Sequence, residues 1–192
     1  MTPLALSKLA YGEGLAAGLR AVLDPARPVP GTRCGYTLVP AGCPADGTVL
    51  PHPLAAGEDL ELVRLTEPSG PDPEYALPLA AVRLGLLHRM LDAAVAHLAS
   101  RQSDGAPLTG RQLVQASIAD LATTLETGRH ALETGRHALS AGGDGTAGWL
   151  HARLDEADES VATLFGAAGY VRTHPVRCLH VAALVRDAWL PW

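Results

Sequence analysis

The sequence predicts a mainly α protein: an antiparallel four-helix bundle preceded by a short helix and a small β remnant. Three observations carry that expectation. The apolar 47% of the chain is rich in Ala and Leu while aromatics make up only 4%, which suits helices that meet through small side chains. Prolines and glycines crowd residues 24–57 and again 67–73, where regular structure is interrupted. From Glu74 onward, four stretches with helical spacing follow one another, separated by short breakers.

Taken in order, residues 4–23 place Leu4, Leu9, Leu15, Leu19 and Val22 near helical spacing. Gly12, Gly14 and Gly18 weaken that helix, so it needs a partner surface. Seven prolines between Pro25 and Pro53 leave room only for short extended pieces such as Gly35–Val39. Glu58–Leu65 alternates polar and apolar residues and reads as a strand. The first bundle helix, about 74–101, puts Leu77, Ala80, Ala81, Leu84, Leu87, Leu91, Val95 and Leu98 on one face. The second starts behind Thr109 as N-cap and runs to about Ser140, where Gly142-Gly143-Asp144-Gly145 stops it. The third covers about 146–165 and the fourth about 175–189, with Pro175 in its first turn. The expected division is an abbreviated N-terminal part, 1–73, and a bundle, 74–192.

Within the second bundle helix, Glu-Thr-Gly-Arg-His-Ala-Leu occurs twice in tandem, at 126–132 and 133–139. A seven-residue repeat stacks like on like, giving a seam of Leu125, Leu132 and Leu139 and a second of Gly128 and Gly135. The paired histidines, His130 and His137, lie about 10 Å apart by helical rise, too far for one metal ion. Packing with solvated polar rows is the expected role. The run Asp155-Glu156-Ala157-Asp158-Glu159 is read as a solvated helix face. His88 and His97, nine residues apart, are placed on roughly similar faces of the first bundle helix. The tryptophans at the C-terminal end, Trp189 and Trp192, would expose much apolar area, so they are read as an intramolecular or intersubunit latch.

Charge and cysteine usage exclude several classes. Net charge is −5 and the one lysine is Lys8, so no basic stripe exists for phosphates and no nucleic-acid partner is expected. No apolar run approaches the roughly 20 residues that span a bilayer, and the N-terminus lacks a signal-peptide core. No membrane partner is expected, and the chain is read as cytoplasmic. Cys34, Cys43 and Cys178 form no ligand set and are read as reduced packing thiols, with no metal site.

One ordered series of residues goes further. Gly85-Leu86, Arg89, Leu91-Asp92-Ala93-Ala94, Arg101, Gly105, Leu108 and Gln112 are followed by Ala119-Asp120-Leu121-Ala122, Leu125-Glu126 and Arg129. Downstream come Phe165-Gly166-Ala167-Ala168-Gly169-Tyr170 and His174-Pro175-Val176. Over about 74–180 this series resembles the C-terminal helical-bundle domain of the acyl-CoA dehydrogenases.

The resemblance implies a bundle that pairs across a subunit interface and reaches the FAD of a neighbour. It places the cofactor contacts at Arg101 and Ser103, facing the pyrophosphate, with Gln112 near the adenosine end. An arginine suits that task because its forked, permanently charged head matches a diphosphate. Three positions depart from the family pattern. Asp104 replaces an aromatic, Thr163 a glutamine and Ala167 a glycine, and each weakens an FAD site. The family's catalytic glutamate lies in a motif beyond the last segment matched, and the sequence reaches Leu190-Pro191-Trp192 without it. Some members carry that acid at the start of the first bundle helix, where the nearest carboxylate is Glu74, a weak candidate base. An ordinary acidic residue in the first helical turn is the competing role for Glu74.

The resemblance therefore implies an incomplete subunit that contributes, with a larger full-length acyl-CoA dehydrogenase partner, to FAD-dependent oxidation of an acyl thioester. Two alternatives are a non-catalytic dimeric scaffold and an enzyme with flavin-independent chemistry in the same pocket. A homo-oligomer or a hetero-oligomer is expected in each case.

Overall fold

The structure is a computed structural model that describes residues 1–138 and 145–191, with 135–138 described by backbone alone. Helices α1 (Pro3–Glu13) and α2 (Leu15–Val22) come first. The sequence suggested one continuous helix here, but Gly14 takes φ 92° and divides it, a conformation that glycine reaches without a Cβ clash. Thr2 starts α1 by accepting the Ala5 amide at 3.3 Å, with Pro3 at the first helical position.

Three short strands follow: β1 (Tyr36–Pro40), β2 (Gly47–Leu50) and β3 (Leu60–Leu65). A single turn of helix, α3 (Pro53–Ala56), separates the last two. All pairings are antiparallel in the order β1-β3-β2, with Thr37 opposite Val63 and Val49 opposite Val63 on the other side. The expected strand is thus the centre of the sheet.

Helix α4 (Ala76–Ser100) is the axis of the molecule. Every residue from Leu79 to Leu87 on it is buried, which happens only when a helix is enclosed on all sides. A hairpin of β4 (Gln102–Ser103) and β5 (Ala106–Pro107) leads into α5 (Gln112–Ala138). Helices α6 (Gly145–Leu164) and α7 (Arg177–Trp189) complete the bundle. Contacts fix the directions. Gly128 on α5 lies against Leu84 and Leu150, so α5 runs back along both α4 and α6. His151 bonds the Ala76 carbonyl while Phe165 meets His97, so α4 and α6 run in parallel. Arg186 reaches Asp155, which returns α7 alongside α6. This is the up-down-up-down arrangement expected of short connections.

Several local expectations are corrected. Thr109 is not the N-cap of α5: it sits inside a 3-10 turn, Leu108–Gly110, and Arg111 accepts the first helical bond, from Gln115 at 2.9 Å. Pro175 precedes α7, which starts at Arg177. His88 and His97 face opposite ways, because nine residues make two and a half helical turns. His88 meets Tyr11 and Arg129, and His97 meets Phe165 and Arg101. Leu125 and Leu132 are buried as the repeat predicts, whereas Leu139 and the stop at Gly142-Gly143-Asp144 lie outside the described residues.

One buried cluster joins α1, α2, β1, α4, α5, α6 and α7. Its most distant link is Trp189, fully buried, whose indole N–H reaches Thr37 Oγ1 and the Leu38 carbonyl, each at 3.1 Å. The Asp72 amide donates to the Trp189 carbonyl at 2.8 Å, and Tyr75 packs edge-on against the indole. The latch at Trp189 is intramolecular; Trp192 lies outside the described residues. Among the described residues no helix is long and apolar enough to cross a membrane.

Candidate functional site

The candidate cofactor residues converge where α4 ends, the β4–β5 hairpin turns and α5 begins. Arg101 is the C-cap of α4 and is exposed; its guanidinium lies 3.4 Å from His97 Nε2. Ser103 follows in β4, and Gln112 opens α5 as an exposed side chain. Asp104 sits in the left-handed region, φ 54°, next to Gly105 at φ 77°. Asp-Gly with both φ positive is the turn that closes a two-residue hairpin, so this residue has a structural reason to replace an aromatic.

The charge of Asp104 is also accounted for. Arg111 holds its carboxylate at 2.5 Å and donates as well to the Ser103 carbonyl at 2.9 Å. Arg111 was not among the residues predicted from the sequence, and an arginine seven residues after an Asp-Gly turn is the signal that would have found it. Arg101 itself is exposed beside this ion pair. His97 and His174 flank the Phe165 ring, with centroids 5.5 and 4.5 Å away. Burial, and then His97, hold the His174 imidazole below its ordinary range. Thr163 turns its hydroxyl back to the Ser160 carbonyl at 2.7 Å, and Ala167 is exposed in the 3-10 turn Gly166–Tyr170.

Glu74 is elsewhere. It stands at the N-terminal end of α4, exposed and ion-paired with Arg27, which also holds Asp72 at 2.6 Å. Twenty-seven residues of helical rise put it about 40 Å from Arg101. Within one chain these two residues cannot share a site.

A second polar constellation lies inside the bundle. Arg83, 1% exposed, reaches His151 Nδ1 at 3.1 Å, Asp155 at 2.7 Å and Asp158 at 2.8 Å. Arg186 approaches Asp155 from α7. Because His151 Nε2 must donate to the Ala76 carbonyl at 2.9 Å, Nδ1 is the acceptor for Arg83 and the ring is neutral. Burial, then Arg83, push the His151 pKa down to about 4. Burial raises the Asp158 carboxyl to about 6 despite Arg83. The acidic run is therefore not a solvated face throughout: Glu156 and Glu159 are exposed, but Asp158 points inward, because α4 brings a buried arginine to it. Cys178 is buried, which pushes its thiol well above the usual range and makes it unreactive.

Comparison with known proteins matches these observations. The sequence profile described as acyl-CoA dehydrogenase, C-terminal domain, matches residues 76–190. Among solved structures, butyryl-CoA dehydrogenase from Megasphaera elsdenii is similar with a TM-score of 0.55 and 18% identity, over 79% of this chain and 44% of that one. An acyl-CoA dehydrogenase from Geobacillus kaustophilus gives a TM-score of 0.56 and 17% identity, over 78% and 45%. The ChsE4-ChsE5 complex from Mycobacterium tuberculosis gives 0.51 and 20%, over 80% and 44%. The chain thus spans less than half the length of these structural relatives. No curated protein sequence matches it significantly. With the profile covering α4 to α7 and the same bundle recurring in solved enzymes, the chain belongs to the acyl-CoA dehydrogenase family.

Proposed function

We propose that this chain is a non-catalytic acyl-CoA dehydrogenase-type subunit. It lends the Arg101 end of its bundle to the FAD site of a larger partner that oxidises an acyl thioester. The observation that carries this reading is the state of that end: Arg101 is exposed at the tip of α4, and Asp104 in the adjoining hairpin is already held by Arg111. Asp104 then no longer opposes an anion. Arg101 and Ser103 would take the diphosphate, and Gln112 would lie beside them. FAD would supply the acceptor for the electrons of the thioester. This chain's own residues bind and orient; Glu74, exposed and tied to Arg27, has the surroundings of an ordinary acidic residue in the first helical turn and not of a base.

Assembly with a larger relative is in keeping with the similar ChsE4-ChsE5 structure, which is that of a complex. The test is copurification. Tagged chain isolated from its native host should bring down an acyl-CoA dehydrogenase subunit with bound flavin, and Arg101→Ala should lower the flavin retained by that complex. A colourless homo-oligomer whose melting temperature ignores added FAD would instead support the non-catalytic scaffold.

A further inference from the structure

We infer that the junction between α3 and α7 is an acid-sensitive clasp, fastened while His52 and His174 are neutral and loosened when they take a proton. Both residues stand where a helical turn begins. The His52 carbonyl accepts the Ala56 amide at 3.0 Å, and the His174 carbonyl accepts the Arg177 amide at 3.1 Å. In each case the imidazole folds back on its own turn: the Ala55 amide donates to His52 Nδ1 at 3.1 Å, and the Val176 amide to His174 Nδ1 at 3.2 Å. A ring nitrogen here does what a Ser or Asp oxygen does in most N-caps. Unlike those oxygens, it loses its acceptor when histidine charges. An imidazole accepts through Nδ1 only as the neutral Nε2–H tautomer, and its cation donates from both nitrogens. A proton on Nδ1 therefore removes the cap and sets positive charge against the free amides of the turn.

The two capped turns meet each other. Arg177, the first residue of α7, donates to the Gly57 carbonyl at the end of α3 and pairs with Glu58 at 2.8 Å. Leu54 and Val176, one from each turn, line the same groove along α6 and α7. Around His52 the charged groups are Glu58 and Asp59 after α3, Glu61 and Arg64 on β3, and Arg177 on α7; none of them bonds the ring among the described residues. His174 faces His97 of α4 across the Phe165 ring, with Arg101 beyond His97 and Arg172 and Arg177 on its own segment. Burial, and then His97, keep the His174 imidazole below its ordinary range, so in that window the unfolded chain binds the extra proton and acidification loosens the turn. Glu58 acts in the opposite sense, because burial raises its carboxyl despite Arg177 and Arg89. The state of the clasp therefore shows at its own amides and not in global stability. Neither imidazole bonds Arg101, Ser103 or Gln112 among the described residues, so the clasp is independent of the cofactor reading.

Nitrogen-15 spectra of the histidine side chains and residue-resolved hydrogen exchange, both on the full chain, test the clasp. At about pH 7.5 His52 and His174 should both be the Nε2–H tautomer. Between about pH 7.5 and pH 5 the Ala55 and Val176 amides should lose protection by about threefold to fivefold after correction for intrinsic exchange. His52→Asn and His174→Asn supply a cap oxygen that does not titrate, so protection at the same turns should no longer depend on pH. An Nδ1–H tautomer at either residue, equal wild-type protection at the two pH values, or an undiminished pH effect in the asparagine variants would overturn the proposal. The tautomer and wild-type measurements decide the matter even if a variant fails to fold.

Discussion

At the scale of single residues, His151 and Asp158 pull the pH dependence of stability in opposite directions. The folded-state pKa of His151 is lowered to about 4, so between there and its ordinary value the unfolded chain binds the extra proton, and stability falls on acidification. The folded-state pKa of Asp158 is raised to about 6, so the folded chain binds the extra proton and stability rises on acidification through the same window. The two effects offset between roughly pH 4 and 6. Replacing one group should expose the other. Relative to wild type, Asp158→Asn should lose stability from pH 6 to pH 4.5 and His151→Gln should gain it, each on the order of 1–2 kcal/mol. Urea unfolding at the two pH values measures this, and shifts of the same sign in both variants would contradict the assignment. None of this was legible in the acidic run itself. Asp158 is turned inward by Arg83, which is 75 residues away on another helix, and local periodicity carries no information about such a partner.

At the scale of elements, two helices approach each other where a side chain is missing. A Cβ on Gly85 would stand 2.1 Å from the Ser7 carbonyl oxygen of α1, and backbone cannot move aside as a side chain can. Gly85→Ala should therefore cost about 3 kcal/mol or more and lower the melting temperature. Gly148→Ala, where nothing lies within 4 Å, should instead stabilise α6 by about 0.5–1 kcal/mol. Equal effects of the two substitutions would remove the argument for a close crossing. The bundle helices were legible to within a few residues, because apolar spacing and breakers set them directly. The ends were less so. The hairpin at Asp104-Gly105 displaced the start of α5 beyond Thr109, and Gly14 divided a helix whose period alone looked continuous. Of the site, Arg101, Ser103 and Gln112 came from the resemblance, whereas Arg111 and the histidines around Phe165 emerged only when the chain ends of three helices met.

At the scale of the whole molecule, the N-terminal sheet and the bundle share one core, and Trp189 fastens the last helix to β1. Trp189→Phe keeps the ring packing but removes the donor to Thr37 and Leu38, so a loss of about 2 kcal/mol in urea unfolding is expected. A loss well under 1 kcal/mol would mean that the latch is held by packing alone. The same architecture leaves Arg101 exposed at one end of the bundle, beside His97 and the Asp104–Arg111 ion pair. The most direct measurement is the flavin content of the copurified complex with wild-type chain and with Arg101→Ala. The account predicts stoichiometric flavin with the wild type and a clear loss with the variant at unchanged complex mass. Flavin content that is the same in both would contradict it.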